Sequence, residues 1–208
     1  MRVALLGVTG KTGVLVLQDC LRRGWHVQAL VRDKSKLRER EGLTCVQGDA
    51  RSREAVARVL AGSTAVLCCL GMHDISLSAT DFSESIRCMV DVMHDLGIRR
   101  LLAIASAGVL DRPSAGNWNI KRLPAYLANV SAEHLRNYDT LRTSGLDWTL
   151  MCPAYLKEDI PVGHAQYLFE DLPSGSDETG YKDLASTMTA FVEDASSHGR
   201  RVGIVSFR

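Results

Sequence analysis

Short apolar runs alternate with stretches of helical periodicity from residue 3 to about residue 152, and this alternation restricts the fold more than any other feature of the chain. The runs span residues 3–8, 27–31, 44–46, 65–70, 101–105 and 148–151. Val14, Leu17 and Leu21 recur at helical spacing until Gly24 ends the first helix. Ser52 suits the cap of a second, which runs towards Leu60 with Val56, Val59 and Leu60 on its apolar face and Gly62 as its stop. A long helix is expected over residues 78–96, closed by Gly97, and another over 131–143, ended by Gly145. Beyond residue 152 come a loop rich in proline, glycine and acidic residues, a helix over 182–193 and a last strand over 201–206. Residues 65–70 are nearly all apolar, as in a strand buried on both faces. This order predicts an α/β fold: a doubly wound parallel sheet of six to seven strands, with right-handed crossovers and helices on both faces.

At about 150 residues per domain, the 208 residues read as a single domain over 1–208 with little room for a separate substrate domain. Lys and Arg total 25 against 24 for Asp and Glu, so charge gives no case for nucleic acid or an anionic membrane as a partner. With 46% hydrophobic and 24% charged residues the chain belongs with globular proteins rather than disordered ones. The first apolar run is too short for a signal sequence, and no stretch approaches the ~20 apolar residues of a membrane span, so a cytoplasmic protein is expected. The 6 cysteines show neither CxxC spacing nor a Cys/His cluster and read as free thiols, with no metal site. HExxH and GxSxG are both absent, which removes zinc-protease and nucleophile-elbow hydrolase readings.

The first run leads into Gly7-Val8-Thr9-Gly10-Lys11-Thr12-Gly13, a GxxGxxG spacing between a strand and an amphipathic helix. In that context Gly7 permits the tight turn, Gly10 the close approach of a pyrophosphate, and Gly13 the close packing of helix on strand. The amides and positive end of the new helix face the phosphates, and Thr9, Lys11 and Thr12 add donors. The sheet is therefore expected to be of the Rossmann type. After the second run the chain reads Val31-Arg32-Asp33-Lys34-Ser35-Lys36. Asp33 keeps an NAD option open, but the cluster of Arg32, Lys34 and Lys36 suits the dianionic 2′-phosphate of NADP better. Asp49, after the third run, is placed to accept from the adenine amino group, and Gly71, after the fourth, to let the ribose and nicotinamide cross the sheet edge.

These features, together with Leu70-Gly71, Ser106-Ala107 and Ser144-Gly145-Leu146-Asp147-Trp148-Thr149, resemble the atypical short-chain dehydrogenase/reductase group. Within it the chain is most similar to the biliverdin reductase B, or flavin reductase (NADPH), type and its NmrA-like relatives, over nearly its whole length. The resemblance implies NADPH binding and hydride transfer to a small planar acceptor, a flavin, bilin or quinone-like molecule. It implies that Gly7, Gly10, Thr12 and Gly13 hold the pyrophosphate, Arg32 with Lys36 the 2′-phosphate, Asp49 the adenine, Gly71 the nicotinamide ribose and Pro153 the carboxamide. Ser106 would stand beside the nicotinamide and substrate. The acceptor half departs from that pattern: His73 replaces an arginine, Gly108 and Asp111 replace aromatic residues, and Ala154 replaces a histidine.

The Tyr-x-x-x-Lys proton-transfer dyad of the wider superfamily is absent, since Tyr126 is followed by Val130 and Tyr138 by Arg142. Tyr138 reads more simply as packing beside Leu135 and Leu141, and His134 as helix surface or a packing contact. The expected mechanism is positioning and direct hydride transfer, with Ser106 and His73 as candidate catalytic residues and the acceptor pocket built from loops near 73–79, 108–119 and 154–163. A sugar-nucleotide epimerase is disfavoured, whereas a non-catalytic NmrA-like NADP(H) sensor is the alternative. A monomer is favoured.

Overall fold

The computed structural model describes residues 1–72, 80–110 and 127–208. Its main sheet has 8 strands in the order β3-β2-β1-β4-β5-β6-β10-β8. They are β1 (Arg2–Leu6), β2 (His26–Val31), β3 (Leu43–Gln47), β4 (Ala65–Cys68), β5 (Arg100–Ile104), β6 (Asp147–Pro153), β8 (Ala165–Phe169) and β10 (Arg200–Ser206). Two short strands, β7 (Tyr155–Lys157) and β9 (Glu178–Gly180), form a separate parallel pair. Among the described residues five α-helices accompany them: α1 (Lys11–Arg22), α2 (Arg53–Leu60), α3 (Asp81–Leu96), α4 (Ala128–Thr143) and α5 (Tyr181–Ala190).

Each apolar run feeds both faces of the sheet, because successive side chains point to opposite sides. Val3 and Leu5 join Val16, Leu17 and Cys20 of α1 and Leu184 and Met188 of α5 in one buried cluster. Ala4 and Leu6 join Val56 and Val59 of α2, Ile86, Met89 and Met93 of α3, and Leu141 of α4 in the other. At roughly 1.5–3 kcal/mol for each large aliphatic side chain fully buried, these two layers dominate the stabilisation of the fold.

Helix ends follow their chemistry. Ser52 caps α2 by accepting from the Ala55 amide at 3.3 Å, as its place in the sequence predicts. Gly97 closes α3 at φ +66, and the Ile98 amide reaches back to the Met93 carbonyl at 2.9 Å, which satisfies a carbonyl the helix would otherwise leave open.

Two departures from expectation concern the sheet. It holds eight strands rather than six or seven, and β8 runs antiparallel to β10 at one edge. Both arise in the stretch after residue 152 that reads as a loop, where β7, β8 and β9 are short and β8 is largely exposed. As an edge strand it leaves Gln166, Tyr167 and Leu168 exposed on both faces, unlike the buried central strands. The helix expected to begin at residue 131 begins at Ala128.

Candidate dinucleotide site

The carboxyl ends of β1 to β4 enclose a cleft of about 340 Å³, at the place where ligands of open α/β sheets bind. Gly7, Thr9, Arg32, Asp49 and Gly71 line it together, although they come from four separate strand ends. Gly7 holds φ +78, and a Cβ there would lie 2.4 Å from the Cys69 carbonyl oxygen, so only glycine lets β1 turn beside β4. A Cβ at Gly13 would lie 2.1 Å from the Gly7 carbonyl oxygen, which is how closely α1 is set against the loop. The Gly10 amide donates to the Gly7 carbonyl at 3.1 Å, and the first intrahelical bond runs from Val14 to Gly10. By helical geometry the amides of the first turn are left for a ligand. A cradle that tolerates no side chain at Gly7 or Gly13, opening on a helix N-terminus, fits a pyrophosphate.

At the β2 end the charged residues separate by role. Arg32 lines the cleft, and its guanidinium makes no ion pair among the described residues. Asp33 turns away: its carboxylate accepts from the Ser35 amide at 2.9 Å and caps the turn at Lys34–Lys36. That hydrogen bonding from Ser35 holds the Asp33 carboxyl below its ordinary range. Lys36 is exposed on the same turn and does not line the cleft.

Asp49 accepts from Arg51 three times: from its amide at 2.8 Å, from Nε at 3.0 Å and from Nη2 at 3.3 Å. These bonds hold the Asp49 carboxyl below its usual range. Arg51 Nη1 also lies 2.9 Å from Asp81 Oδ1, at the start of α3. Arg51 carries no sequence motif of its own. Its place two residues after Asp49 was visible, but its pairing with Asp81 depends on how α3 docks.

Lys11 is exposed and ion-paired with Glu158, whose hydrogen bond raises the lysine pKa, and its ammonium stands 5.7 Å from the centre of the Tyr181 ring. With Thr9 and Gly10 it borders a second hollow of about 420 Å³, reaching Val14, Glu158 and Tyr181. Thr12 and Gly13 are buried in the first turn of α1.

On the acceptor side, Ser106 is half-buried after β5 and begins the turn at Ala107–Val109, but its hydroxyl makes no cap hydrogen bond. Its place is fixed from outside, because the Val109 carbonyl accepts from the buried Arg201 at 2.8 Å. Pro153 ends β6, level with Ile204 of β10. Neither residue lines the cleft described above. His73, Asp111 and the loop residues 73–79 and 111–119 lie outside the described residues.

Tyr138 is a packing residue: its ring meets Trp148 edge-on at 6.0 Å, and the Arg201 guanidinium stands 4.6 Å from its centre. Leu135, an expected neighbour, is 37% exposed, whereas Leu141 is fully buried. Arg142 pairs with Asp139 at 2.7 Å. His134 meets Phe82 edge-on at 5.5 Å, and burial pushes its pKa down to about 4, so it is neutral at pH 7. Burial pushes the Cys20 and Cys68 thiols up to about 12, which leaves them unreactive. Among the described residues no group of three or more His, Cys, Asp or Glu is placed to hold a metal, and no helix is long and apolar enough to cross a membrane.

Strand order, glycine loop and cleft together define a dinucleotide-binding protein of the Rossmann type. The chain belongs to the NAD(P)H-binding family, which it matches over residues 7–195. It is 25% identical to the uncharacterized protein YwnB of Bacillus subtilis over 165 residues, 74% of this chain and 72% of that one. In fold it is similar to a putative epimerase from Bacteroides thetaiotaomicron, at TM-score 0.85 and 22% identity, covering 100% of this chain and 97% of the other. It is also similar to a short-chain dehydrogenase/reductase from Veillonella parvula solved in complex with NADP, at TM-score 0.76 and 17% identity, covering 99% and 94%. The expected NADPH/NADP cofactor is thus borne out as NAD(P)H binding.

Proposed function

We propose that the protein is an NADPH-dependent reductase that passes hydride to a planar conjugated acceptor, a flavin or a linear tetrapyrrole. One observation carries the NADP half of this reading: Arg32 lines the cleft without an ion pair among the described residues, while Asp33, which would serve the ribose hydroxyls of NAD, accepts from the Ser35 amide. The first turn of α1, with Gly7, Gly10, Thr12 and Gly13, neutralises the pyrophosphate, and Thr9 and Lys11 supply further donors. Arg32 holds the 2′-phosphate, with Lys36 close enough along the chain to add its charge. Asp49 borders the adenine, Gly71 the nicotinamide ribose and Pro153 the carboxamide.

When bound, NADPH supplies a hydride, and a flavin or bilin stabilises the resulting anion within its own conjugated system. The protein's task is then orientation. The Ser106 hydroxyl, uncommitted within its turn, orients the nicotinamide or donates one hydrogen bond to the acceptor. The packing of Tyr138 supports a mechanism without a tyrosine acid, and neutral His134 is no proton donor at pH 7. His73, two residues after Gly71 in the sequence, is the candidate donor near neutral pH.

NADPH oxidation measured with FMN, FAD, a quinone dye and biliverdin tests the reading, and turnover with at least one of them is expected. Micromolar NADPH binding without any turnover would overturn the reductase and favour a non-catalytic NADP(H) sensor. Arg32→Ala is expected to weaken NADPH binding by roughly tenfold to a hundredfold, the loss of a charge-assisted phosphate contact, while NADH affinity stays near wild type. Equal losses for the two dinucleotides would remove Arg32 from the 2′-phosphate.

A further inference from the structure

The two arginines of the cleft differ in what they have left to offer a ligand. The Arg32 guanidinium makes no ion pair or hydrogen bond among the described residues, although its charge helps to hold the Asp49 carboxyl down. Arg51 has all three guanidinium nitrogens taken: Nε and Nη2 by Asp49, at 3.0 and 3.3 Å, and Nη1 by Asp81, at 2.9 Å. Its charge is already met by two carboxylates, and they come from different elements, so the plane of the group is held at both ends. What remains are one N–H on each of Nη1 and Nη2 and the flat faces, on a side chain 45% exposed that lines the cleft.

We infer that Arg51 is the stacking platform for the adenine of the bound dinucleotide, with Asp49 and Asp81 as the positioning residues that fix its plane. A guanidinium whose charge is already met by two carboxylates still attracts a π-system through its face. The same cleft supplies Leu30, Ala50, Leu70 and Phe82, an apolar set suited to the other face of the base. Arg51 follows β3, which pairs with β2, so the base it meets is the one beside Arg32 and its ribose phosphate. The nicotinamide lies across the glycine loop, towards Gly71 and Ser106. The second arginine of the cleft is thereby assigned to the base, leaving the 2′-phosphate to Arg32. The inference rests on the dinucleotide reading of the cleft and adds a residue to it.

Titrating NADPH, NADH and 5′-AMP into the wild type, Arg51→Ala, Arg51→Lys and Arg32→Ala tests the assignment. Arg51→Ala should weaken all three ligands by about tenfold, the scale of one partly desolvated cation–π contact, and should keep the NADPH to NADH ratio unchanged. Arg51→Lys should fail to rescue, because an ammonium has charge but no plane. As an exposed residue, Arg51 can be replaced without loss of the fold, and the unfolding midpoint should move by no more than about 4 °C. Wild-type affinity for 5′-AMP in Arg51→Lys would overturn the platform, since charge alone would then suffice. Loss of NADPH only in Arg51→Ala would overturn it too, making Arg51 a phosphate ligand. If the wild type bound neither dinucleotide, the dinucleotide site itself would fall, which is a different result from intact binding that ignores Arg51.

Discussion

Gly13→Ala is expected to abolish measurable NADPH binding, with a loss of at least about a hundredfold, and to lower the unfolding midpoint. The added Cβ would lie 2.1 Å from the Gly7 carbonyl oxygen, 2.8 Å from the Gly7 carbonyl carbon and 2.9 Å from the Val8 Cα. All three are backbone atoms, so no side-chain rotation can relieve the contact. Helix α1 must back away from β1, and its first-turn amides leave the position at which they meet a phosphate. Overpacking of this kind costs about 1–3 kcal/mol in stability, while a displacement of about 1 Å removes the geometry that binding requires. Gly10→Ala makes the control. Its Cβ would sit 3.4 Å from the Gly7 carbonyl at φ −77, so the free protein should keep its stability and any lost affinity belongs to the ligand. Calorimetric titration with thermal unfolding separates the two effects. Wild-type affinity in Gly13→Ala would show that the glycine loop does not hold the pyrophosphate.

Arg100→Met is expected to destabilise the protein by roughly 3–5 kcal/mol and to lower the unfolding midpoint by about 10 °C. Arg100 is only 8% exposed, yet it is surrounded by acceptors. Nε donates to the Val192 carbonyl at 3.0 Å. Nη1 donates to the Asp147 carbonyl at 2.8 Å and to Thr149 Oγ1 at 2.9 Å. Nη2 donates to Ser197 Oγ at 2.9 Å and to the Phe191 carbonyl. Methionine fills much of the volume but strands these carbonyls without donors in a region closed to water. Burial also draws the Arg100 pKa down to about 10, the signature of a charge kept in place by hydrogen bonds rather than by solvent. A midpoint within a degree or two of wild type would mean that the bracket between β5, β6 and the end of α5 carries little energy.

These two sites also show what sequence can and cannot disclose. The glycine loop was legible because its chemistry is local: spacing, preceding strand and following helix lie within a few residues of each other. The central strands were legible because burial on both faces leaves a continuous apolar run, as at Ala65–Cys68. The edge strand β8 was not, since its Tyr167 and Leu168 are 46% and 47% exposed and its partner β10 lies far along the chain. Arg100 read as one more charged residue beside an apolar run, for its acceptors are backbone carbonyls that only the tertiary fold assembles. Within the cleft, Arg32 and Asp49 followed from their places at strand ends. The opposite fates of Asp33 and Arg51 depended on a turn at Lys34–Lys36 and on the docking of α3.

The strand order has a consequence for how the protein is made. Gly7, Arg32, Asp49, Arg51 and Gly71, which line the cleft, all precede β5, and β3-β2-β1-β4 form one contiguous block of the sheet. A ribosome therefore completes the strands of the nucleotide wall while β6, β8 and β10 are still unmade. The Ser106 turn is secured last, when Arg201 of β10 reaches the Val109 carbonyl. Nascent chains stalled before β10 would carry a nearly finished nucleotide wall and an unanchored chemical end.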